Sequence, residues 1–154
     1  MDEERERYVE ELAVYWGSFG MPKMQGRVLG ALLVADPPEM TAERLAEVLR
    51  ASRGSISSAT RALIQMGIVE RRTMPGERKD YFQSRTNWAE LMHQQIGMYA
   101  AFRKIAERGL EIMAGSPPES RLDLEEIRSL YSHLEREMPA LIERWEKSRE
   151  EERR

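Results

Sequence analysis

The sequence predicts a mainly α-helical fold with one small β-hairpin, and three observations support this prediction. Apolar residues recur every three or four positions along most of the 154 residues, as they do on the buried side of a helix. Between residues 68 and 83 the apolar period falls to two, which indicates strands. The pair Pro75-Gly76 separates those strands and favours a tight turn.

Two helices are predicted in the first part of the chain. Apolar positions from Tyr8 to Phe19 form one broad stripe, and Gly20 and Pro22 end this first helix. The second, residues 24–35 with the sequence MQGRVLGALLVA, is apolar nearly all round. We therefore expect the second helix at the centre of a core.

A helix-turn-helix pair is predicted next. Thr41 can cap a third helix over residues 42–50. After a turn at Ala51 and Ser52, a fourth helix covers residues 53–67. The hairpin follows this pair directly, and a helix-turn-helix with such a ribbon behind it is a winged helix-turn-helix.

Two long helices complete the predicted fold. Thr86 can cap the first, which runs to about Ala114 and is apolar on more than one side, so it needs two packing partners. Asp123 with Glu126 resembles a capping box at the start of the second. Apolar residues at alternating spacings of three and four predict a seam that meets a partner helix, with a kink at Pro139. The seam residues are Leu124, Ile127, Tyr131, Leu134, Met138, Leu141 and Trp145.

Composition excludes several classes of function. The chain is 41% hydrophobic and 33% charged, has no apolar run long enough for a membrane helix and begins with acidic residues, so we expect a cytoplasmic protein with no membrane partner. It has no cysteine and two distant histidines, His93 and His133, so we expect no metal and no cofactor. No histidine lies close to the serine-rich stretch, GSISS is not a G-x-S-x-G elbow and no phosphate-binding glycine motif occurs, so we predict no enzyme and no catalytic residue.

The charge is distributed unevenly along the chain. The net charge is −3, but residues 41–86 contain nine basic and five acidic residues, which gives +4 and leaves −7 for the rest. The local electrostatic field, rather than the total charge, attracts a polyanion. A basic middle segment on an acidic body is therefore compatible with nucleic-acid binding.

The fourth helix has a serine-rich outward side. Serine is a poor helix former, so the stretch SRGSISSATR needs a packing or binding reason. A helical wheel places Ile56, Ala59, Thr60, Leu63 and Gly67 inward. On the other side, small residues allow close approach to a major groove, hydroxyls can bind phosphates or base edges, and arginine can bind guanine in a bidentate manner. The outward residues are Gly54, Ser58, Arg61 and Gln65, with Ser55 and Ser57 on the flanks.

Other basic groups support binding to double-stranded DNA. The first amides of the fourth helix, from Arg53 to Ser55, favour a phosphate. At the tip of the hairpin, Arg78 and Lys79 can reach a neighbouring minor groove or its backbone. Arg71 and Arg72 alternate across the strand, so one can face DNA while the other faces the body of the protein. The sequence does not show which of the two faces DNA.

Residues 21–82 resemble the winged helix-turn-helix of the GbsR branch of the MarR family of bacterial transcriptional regulators. The most specific part is SRGSISSATR, followed by a glycine and an apolar-apolar-acid-arginine strand. The wing departs from the Asp-x-Arg tip of many MarR wings, because this chain has Glu77-Arg78-Lys79. In this resemblance, the residues that match recognition-helix positions are Arg53, Ser55, Ser57, Ser58 and Arg61.

The resemblance implies a sequence-specific transcriptional repressor that binds a pseudo-palindromic operator as a homodimer. It also implies an N-terminal dimerisation helix over residues 1–20, a DNA-binding domain over 21–85 and a C-terminal helical dimerisation region over 86–154. The alternative is a winged-helix protein-protein interaction module without DNA readout, although such modules rarely keep a basic recognition stripe.

A small-molecule effector site is a further expectation from the resemblance. Some GbsR-like regulators resemble sensors of choline-type ligands, and a quaternary ammonium needs an aromatic cage. Aromatic residues at helical spacing are more often core residues, so the cage is the weaker of the two interpretations. The aromatic candidates are Tyr8, Tyr15, Trp16, Trp88, Tyr99 and Phe102.

Overall fold

The computed structural model describes residues 1–73, 76, 79–85 and 87–153. The chain forms two compact units, residues 1–86 and residues 87–154. The first unit contains four helices and a small sheet, and the second contains two long helices joined through a short 3-10 helix. The predicted fold class, mainly helical with a small β element, is confirmed.

The first two helices cross at a short distance. Helix α1 spans Glu3–Ser18 and helix α2 spans Lys23–Leu33. A Cβ atom added at Gly26 would lie 2.7 Å from the Cα atom of Ala13, so a side chain there would force the helices apart. α1 begins before its apolar stripe because the Asp2 side chain accepts a backbone hydrogen bond in the first turn.

The predicted helix-turn-helix pair is present in the first unit. Helix α3 spans Ala42–Val48 and helix α4 spans Arg53–Gln65. Thr41 caps α3 as predicted, since its hydroxyl oxygen accepts a hydrogen bond from the amide of Arg44 at 3.2 Å. Gly67 follows α4 with a φ of 72°, a conformation that suits glycine and turns the chain into the sheet.

The sheet has one strand more than the predicted hairpin. Strands β1 (Glu39–Thr41), β2 (Val69–Thr73) and β3 (Asp80–Ser84) are antiparallel and lie in the order β1-β3-β2. β1 pairs with β3 so that Met40 lies opposite Phe82. A strand of three residues has no period of its own, and it was missed because only this distant pairing defines it.

α2 lies at the centre of the first unit, as its composition predicts. Val28, Leu29, Ala31 and Leu32 are at most 2% exposed. α2 contacts α1 on one side and α4 and β3 on others. It therefore supports the helix that carries the predicted recognition residues.

The second unit is built on a pair of long helices. Helix α5 spans Trp88–Ile112, a 3-10 helix spans Pro118–Arg121, and helix α6 spans Leu122–Glu152. The capping box predicted at Asp123 and Glu126 is wrong, because Asp123 already lies in the first turn of α6 and no side chain caps this helix. The 3-10 helix leads directly into α6 and replaces the cap.

The start of α5 is fixed by an asparagine. The Asn87 side chain accepts a hydrogen bond from the amide of Glu90 at 3.2 Å, which satisfies one amide of the first turn. Thr86, the predicted cap, lies outside the described residues.

An arginine joins the two long helices. Nε of Arg103 in α5 lies 2.8 Å from Oε2 of Glu135 in α6, and its Nη1 lies 2.8 Å from Oε1 of Glu107. Hydrogen bonds to Glu135 and then to Glu107 raise the pKa of Arg103 above its usual value. These bonds pair one position of α5 with one position of α6.

The predicted seam of α6 changes character at Pro139. The first five seam residues are half-buried, and α5 is the helix against which α6 packs. Beyond Pro139, Ile142 is buried, whereas Leu141 and Trp145 are 52% and 45% exposed. The last two seam residues therefore remain accessible on the surface of the chain.

Candidate nucleic-acid interface

Helix α4 is held in place through one apolar side. Ile56 and Leu63 are fully buried, and Ala59 and Thr60 are nearly so. These residues lie on a helix that contacts α2, α3 and β2. The Thr60 hydroxyl donates to the carbonyl oxygen of Ile56 at 2.9 Å, so this buried polar group is satisfied. The predicted inward side is confirmed for these residues, and it fixes which side of α4 faces solvent.

The opposite side of α4 exposes every predicted recognition residue of the helix. Nη2 of Arg61 donates to Oγ of Ser57 at 3.3 Å, and α4 contains no carboxylate. An arginine held only by a hydroxyl can exchange that bond for a charged acceptor, which binds it more strongly. The exposed residues are Arg53, Gly54, Ser55, Ser57, Ser58, Arg61 and Gln65.

The start of α4 differs from the expectation in one respect. Oγ of Ser52 accepts a hydrogen bond from the amide of Ser55 at 3.1 Å, and the two serine hydroxyls lie 3.0 Å apart. Ser52 is thus the cap, and the Ser55 amide is already satisfied. The amides that helix geometry leaves for an anion are those of Arg53 and Gly54.

The structure separates the two arginines of β2. Nη1 of Arg71 lies 3.5 Å from Oδ2 of Asp80 on the neighbouring strand, and Arg71 stands opposite Phe82, which is buried. Arg72 stands opposite Tyr81, on the other side of the sheet. Arg72 is exposed and forms no ion pair with any residue that the structure describes. Arg72 is therefore the arginine of this strand that is free to meet a ligand.

The second strand of the wing begins close to the first turn of α3. Lys79 is exposed, whereas Arg78 lies outside the described residues. A hydrogen bond from its own backbone amide lowers the pKa of the Glu43 carboxyl below its usual value, and the charges of Lys79 and Arg53 lower this pKa further. The Glu43 carboxylate is thus within electrostatic range of Lys79 in the wing and of Arg53 at the start of α4. Lys79 and Arg53 therefore lie near the same surface of the first unit.

The six aromatic candidates for an effector site are divided between the units. Tyr8, Tyr15 and Trp16 belong to α1, whereas Trp88, Tyr99 and Phe102 belong to α5. The Trp16 indole donates to Gln25, and the rings of Tyr99 and Phe102 pack edge-on against Tyr131 with centroids 5.7 and 4.9 Å away. Within each unit, several of these rings already have a packing role.

The remaining polar groups give no sign of a metal centre. The described part of the chain contains no group of three potential metal ligands. His93 is exposed, and Nδ1 of His133 lies 3.1 Å from Nη2 of Arg136. None of the helices, within the described residues, is both long and apolar enough to cross a bilayer.

Gln25 is a residue that the sequence analysis did not single out. It is only 9% exposed, and it lines a cleft beside α4. Its signal in the sequence is a polar residue within a helix that is otherwise apolar nearly all round. A buried polar residue in such a helix usually has a specific hydrogen-bond role.

Two family models match successive parts of the chain. A model described as MarR family matches residues 19–80. A model described as MmpR5-like MarR family transcriptional regulator matches residues 86–150.

Individual proteins are similar over most of the chain. The HTH-type transcriptional regulator MmpR5 of Mycobacterium tuberculosis (strain ATCC 25618 / H37Rv) is 37% identical over 129 residues, which are 83% of this chain and 78% of that protein. The HTH-type transcriptional repressor OpcR of Bacillus subtilis (strain 168) is 27% identical over 140 residues, which are 90% of this chain and 64% of that protein. A crystal structure of a transcriptional regulator matches with a TM-score of 0.85 and 34% identity, over 94% of this chain and 99% of that one.

Proposed function

Because this chain belongs to the MarR family of transcriptional regulators, we propose that it binds a pseudo-palindromic operator as a homodimer and represses transcription. Each α4 lies in a major groove, and the two copies of α4 are about 34–36 Å apart on one face of the duplex. The wing lies along the flanking backbone or minor groove.

The observation that carries this proposal is the solvent-exposed side of α4. It presents three exposed serines, two arginines and one glutamine, and no carboxylate of α4 neutralises the arginines. Arg61 is the side chain best placed to read a base, because within the described chain its side chain forms no ion pair and donates one hydrogen bond, to a hydroxyl. Serine hydroxyls bind phosphates or base edges and let the backbone approach the groove closely.

Exposed apolar side chains support the homodimer. Large apolar surfaces on a single chain are typical of association sites. Val14 of α1 and Phe19 just after it are 61% and 66% exposed, Ile105 and Ile112 of α5 are 66% and 72% exposed, and Leu141 of α6 is 52% exposed. We therefore assign dimerisation to the N-terminal helix and to the region from residue 86 onward, and DNA binding to residues 21–85.

From the name of a relative, we infer that the protein represses rather than activates transcription. The similar protein of Bacillus subtilis is named a repressor. Transcription in vitro from a template with the operator next to its promoter should fall when the purified protein is added. Increased transcription from the same template would contradict the assigned sign.

We also propose that the chain belongs to the GbsR branch and binds a quaternary ammonium effector. Tyr8, Tyr15 and Trp88 are 39%, 58% and 38% exposed, so a cation can contact these rings. Titration calorimetry with choline should give saturable heat, and Trp88→Ala should remove it. Absence of saturable heat up to millimolar choline would remove this effector class.

DNA selection tests the main proposal. The purified protein is mixed with random duplexes, and the bound fragments are sequenced. We expect two inverted half-sites whose centres lie one helical turn apart, about 10–10.5 base pairs. Failure to bind any duplex at low ionic strength would leave the alternative, an interaction module without DNA readout.

A further inference from the structure

A cleft with neutral walls lies between α4 and the start of α2. Its volume is about 370 Å³. Met24 and Gln25 line it from α2, and Gly54, Ser55 and Ser58 line it from α4. The three residues of α4 belong to the exposed side that we propose faces DNA. No charged residue lines this cleft.

The orientation of the Gln25 side chain within this cleft is fixed. Nε1 of Trp16 lies 3.2 Å from Oε1 of Gln25. An indole N–H can only donate, so the carbonyl oxygen of the amide must face Trp16. Nε2 of Gln25 therefore points away from Trp16. It has no hydrogen-bond partner among the described residues and keeps access to solvent.

The start of α2 adds a backbone donor to the same cleft. Pro22 precedes α2 and makes no side-chain capping bond. The amide of Met24, which lines the cleft, has no partner within a helix of this geometry. Together with the positive end of the helix dipole, it favours an anion. The solvent-accessible Nε2 of Gln25 and the uncapped start of α2 are thus both hydrogen-bond donors suited to an anion.

We propose that this cleft seats one phosphate of the DNA backbone, with Nε2 of Gln25 and the hydroxyls of Ser55 and Ser58 as uncharged donors. The inference rests on the proposed DNA binding. A phosphate oxygen can replace water at the Gln25 amide group, which the fold holds in place. Because these donors carry no charge, the contact adds affinity without adding to the salt dependence, which counts the cations that replace counterions.

Gln25→Glu is the main test, because a carboxylate can still accept the Trp16 hydrogen bond but places a negative charge in the cleft. We expect duplex binding to fall by at least about a hundredfold, since like charges would be juxtaposed. Gln94→Glu is the matched control, because it adds the same charge at an exposed position of α5, and sedimentation equilibrium shows that each variant compared is still a dimer. Wild-type affinity in a folded Gln25→Glu variant would overturn the proposal.

Gln25→Ala keeps the test decisive if the glutamate variant does not fold. We expect affinity to fall about tenfold, with an unchanged slope of log affinity against log salt. Circular dichroism and the thermal midpoint report whether each variant is folded. A folded Gln25→Ala variant with unchanged affinity would also contradict the proposed phosphate contact.

The side-chain amide resonance of Gln25 distinguishes the source of the phosphate. It should shift on addition of one equivalent of duplex and stay in place with the same concentration of inorganic phosphate. A shift with inorganic phosphate and none with duplex would contradict a DNA contact. If the proposed DNA binding is wrong, the wild-type protein binds no duplex. If only the phosphate contact at Gln25 is wrong, the wild type and Gln25→Glu bind duplex with the same affinity.

Discussion

Helices α4 and α6 carry charge in opposite ways. The 13 residues of α4 include two arginines and no acidic residue, whereas the 31 residues of α6 include ten acidic and five basic residues. In α6, Arg136 lies 3.1 Å from Glu137, and Glu135 binds Arg103 of α5. In α4, the Arg61 side chain donates a hydrogen bond to the Ser57 hydroxyl and forms no ion pair with the residues that the structure describes.

The comparison indicates that α4, rather than α6, can bind a polyanion such as DNA. The carboxylates of α6 repel phosphates and supply counter-charges to Arg136 and to Arg103 of α5, so the charge of α6 serves solubility and helix packing. The arginines of α4 have no such counter-charge within their helix and are available to a ligand. Conversely, α6 exposes Leu141 and Trp145, which suits association with another protein surface.

The largest expected effect comes from the exposed apolar residues of α6. Leu141→Glu combined with Trp145→Glu should give monomers, because two charges would be placed in the proposed interface. Operator affinity should then fall by about a hundredfold or more, since the second half-site no longer binds within the same complex. Sedimentation equilibrium and operator titration measure the two effects.

Arg128→Glu serves as the control for this pair, because it changes charge at another exposed position of α6. It should leave the dimer intact. A double variant that still sediments as a dimer would place the interface elsewhere.

An intermediate effect is expected at the wing, where β2 provides a matched pair. Arg72→Ala should reduce the slope of log affinity against log salt by about one and weaken all sequences similarly. Arg71→Ala should leave the slope unchanged, because Arg71 is already paired with Asp80 at 3.5 Å. Titrations at several salt concentrations measure both slopes, and equal changes for the two variants would contradict the assignment.

The smallest expected effect lies at Glu43. Its carboxylate is close enough to Lys79 and Arg53 for their charges to lower its pKa, and it stays ionised at neutral pH. Glu43→Gln should therefore strengthen binding to any duplex, by at most about fivefold because the group is exposed. Fluorescence anisotropy at low salt measures the change, and weaker binding would show that this carboxylate does not oppose the phosphates.

Local patterns were sufficient to predict most of the fold. The inward residues of α4 follow from helical spacing, and the hairpin follows from the change of period next to a glycine. The sequence also identified the basic segment, because charge can be counted without a structure.

Features that depend on distant pairing were not predictable. β1 exists only through its pairing with β3, and the spacing of the seam does not show that Leu141 and Trp145 of α6 are exposed. The choice between Arg71 and Arg72 required the register of β2 against β3, which places Asp80 beside one of them. Helical spacing does not supply such contacts.

The most direct test of the account compares Arg61→Ala with Arg128→Ala, an exposed arginine of α6 that forms no ion pair within the described chain. Both variants are titrated with the selected operator and with a scrambled duplex. We predict that Arg61→Ala costs about 1–3 kcal/mol on the operator and much less on the scrambled duplex. Arg128→Ala should change neither. Equal losses for Arg61→Ala on both duplexes, or equal losses for the two variants, would contradict the claim that α4 reads the sequence.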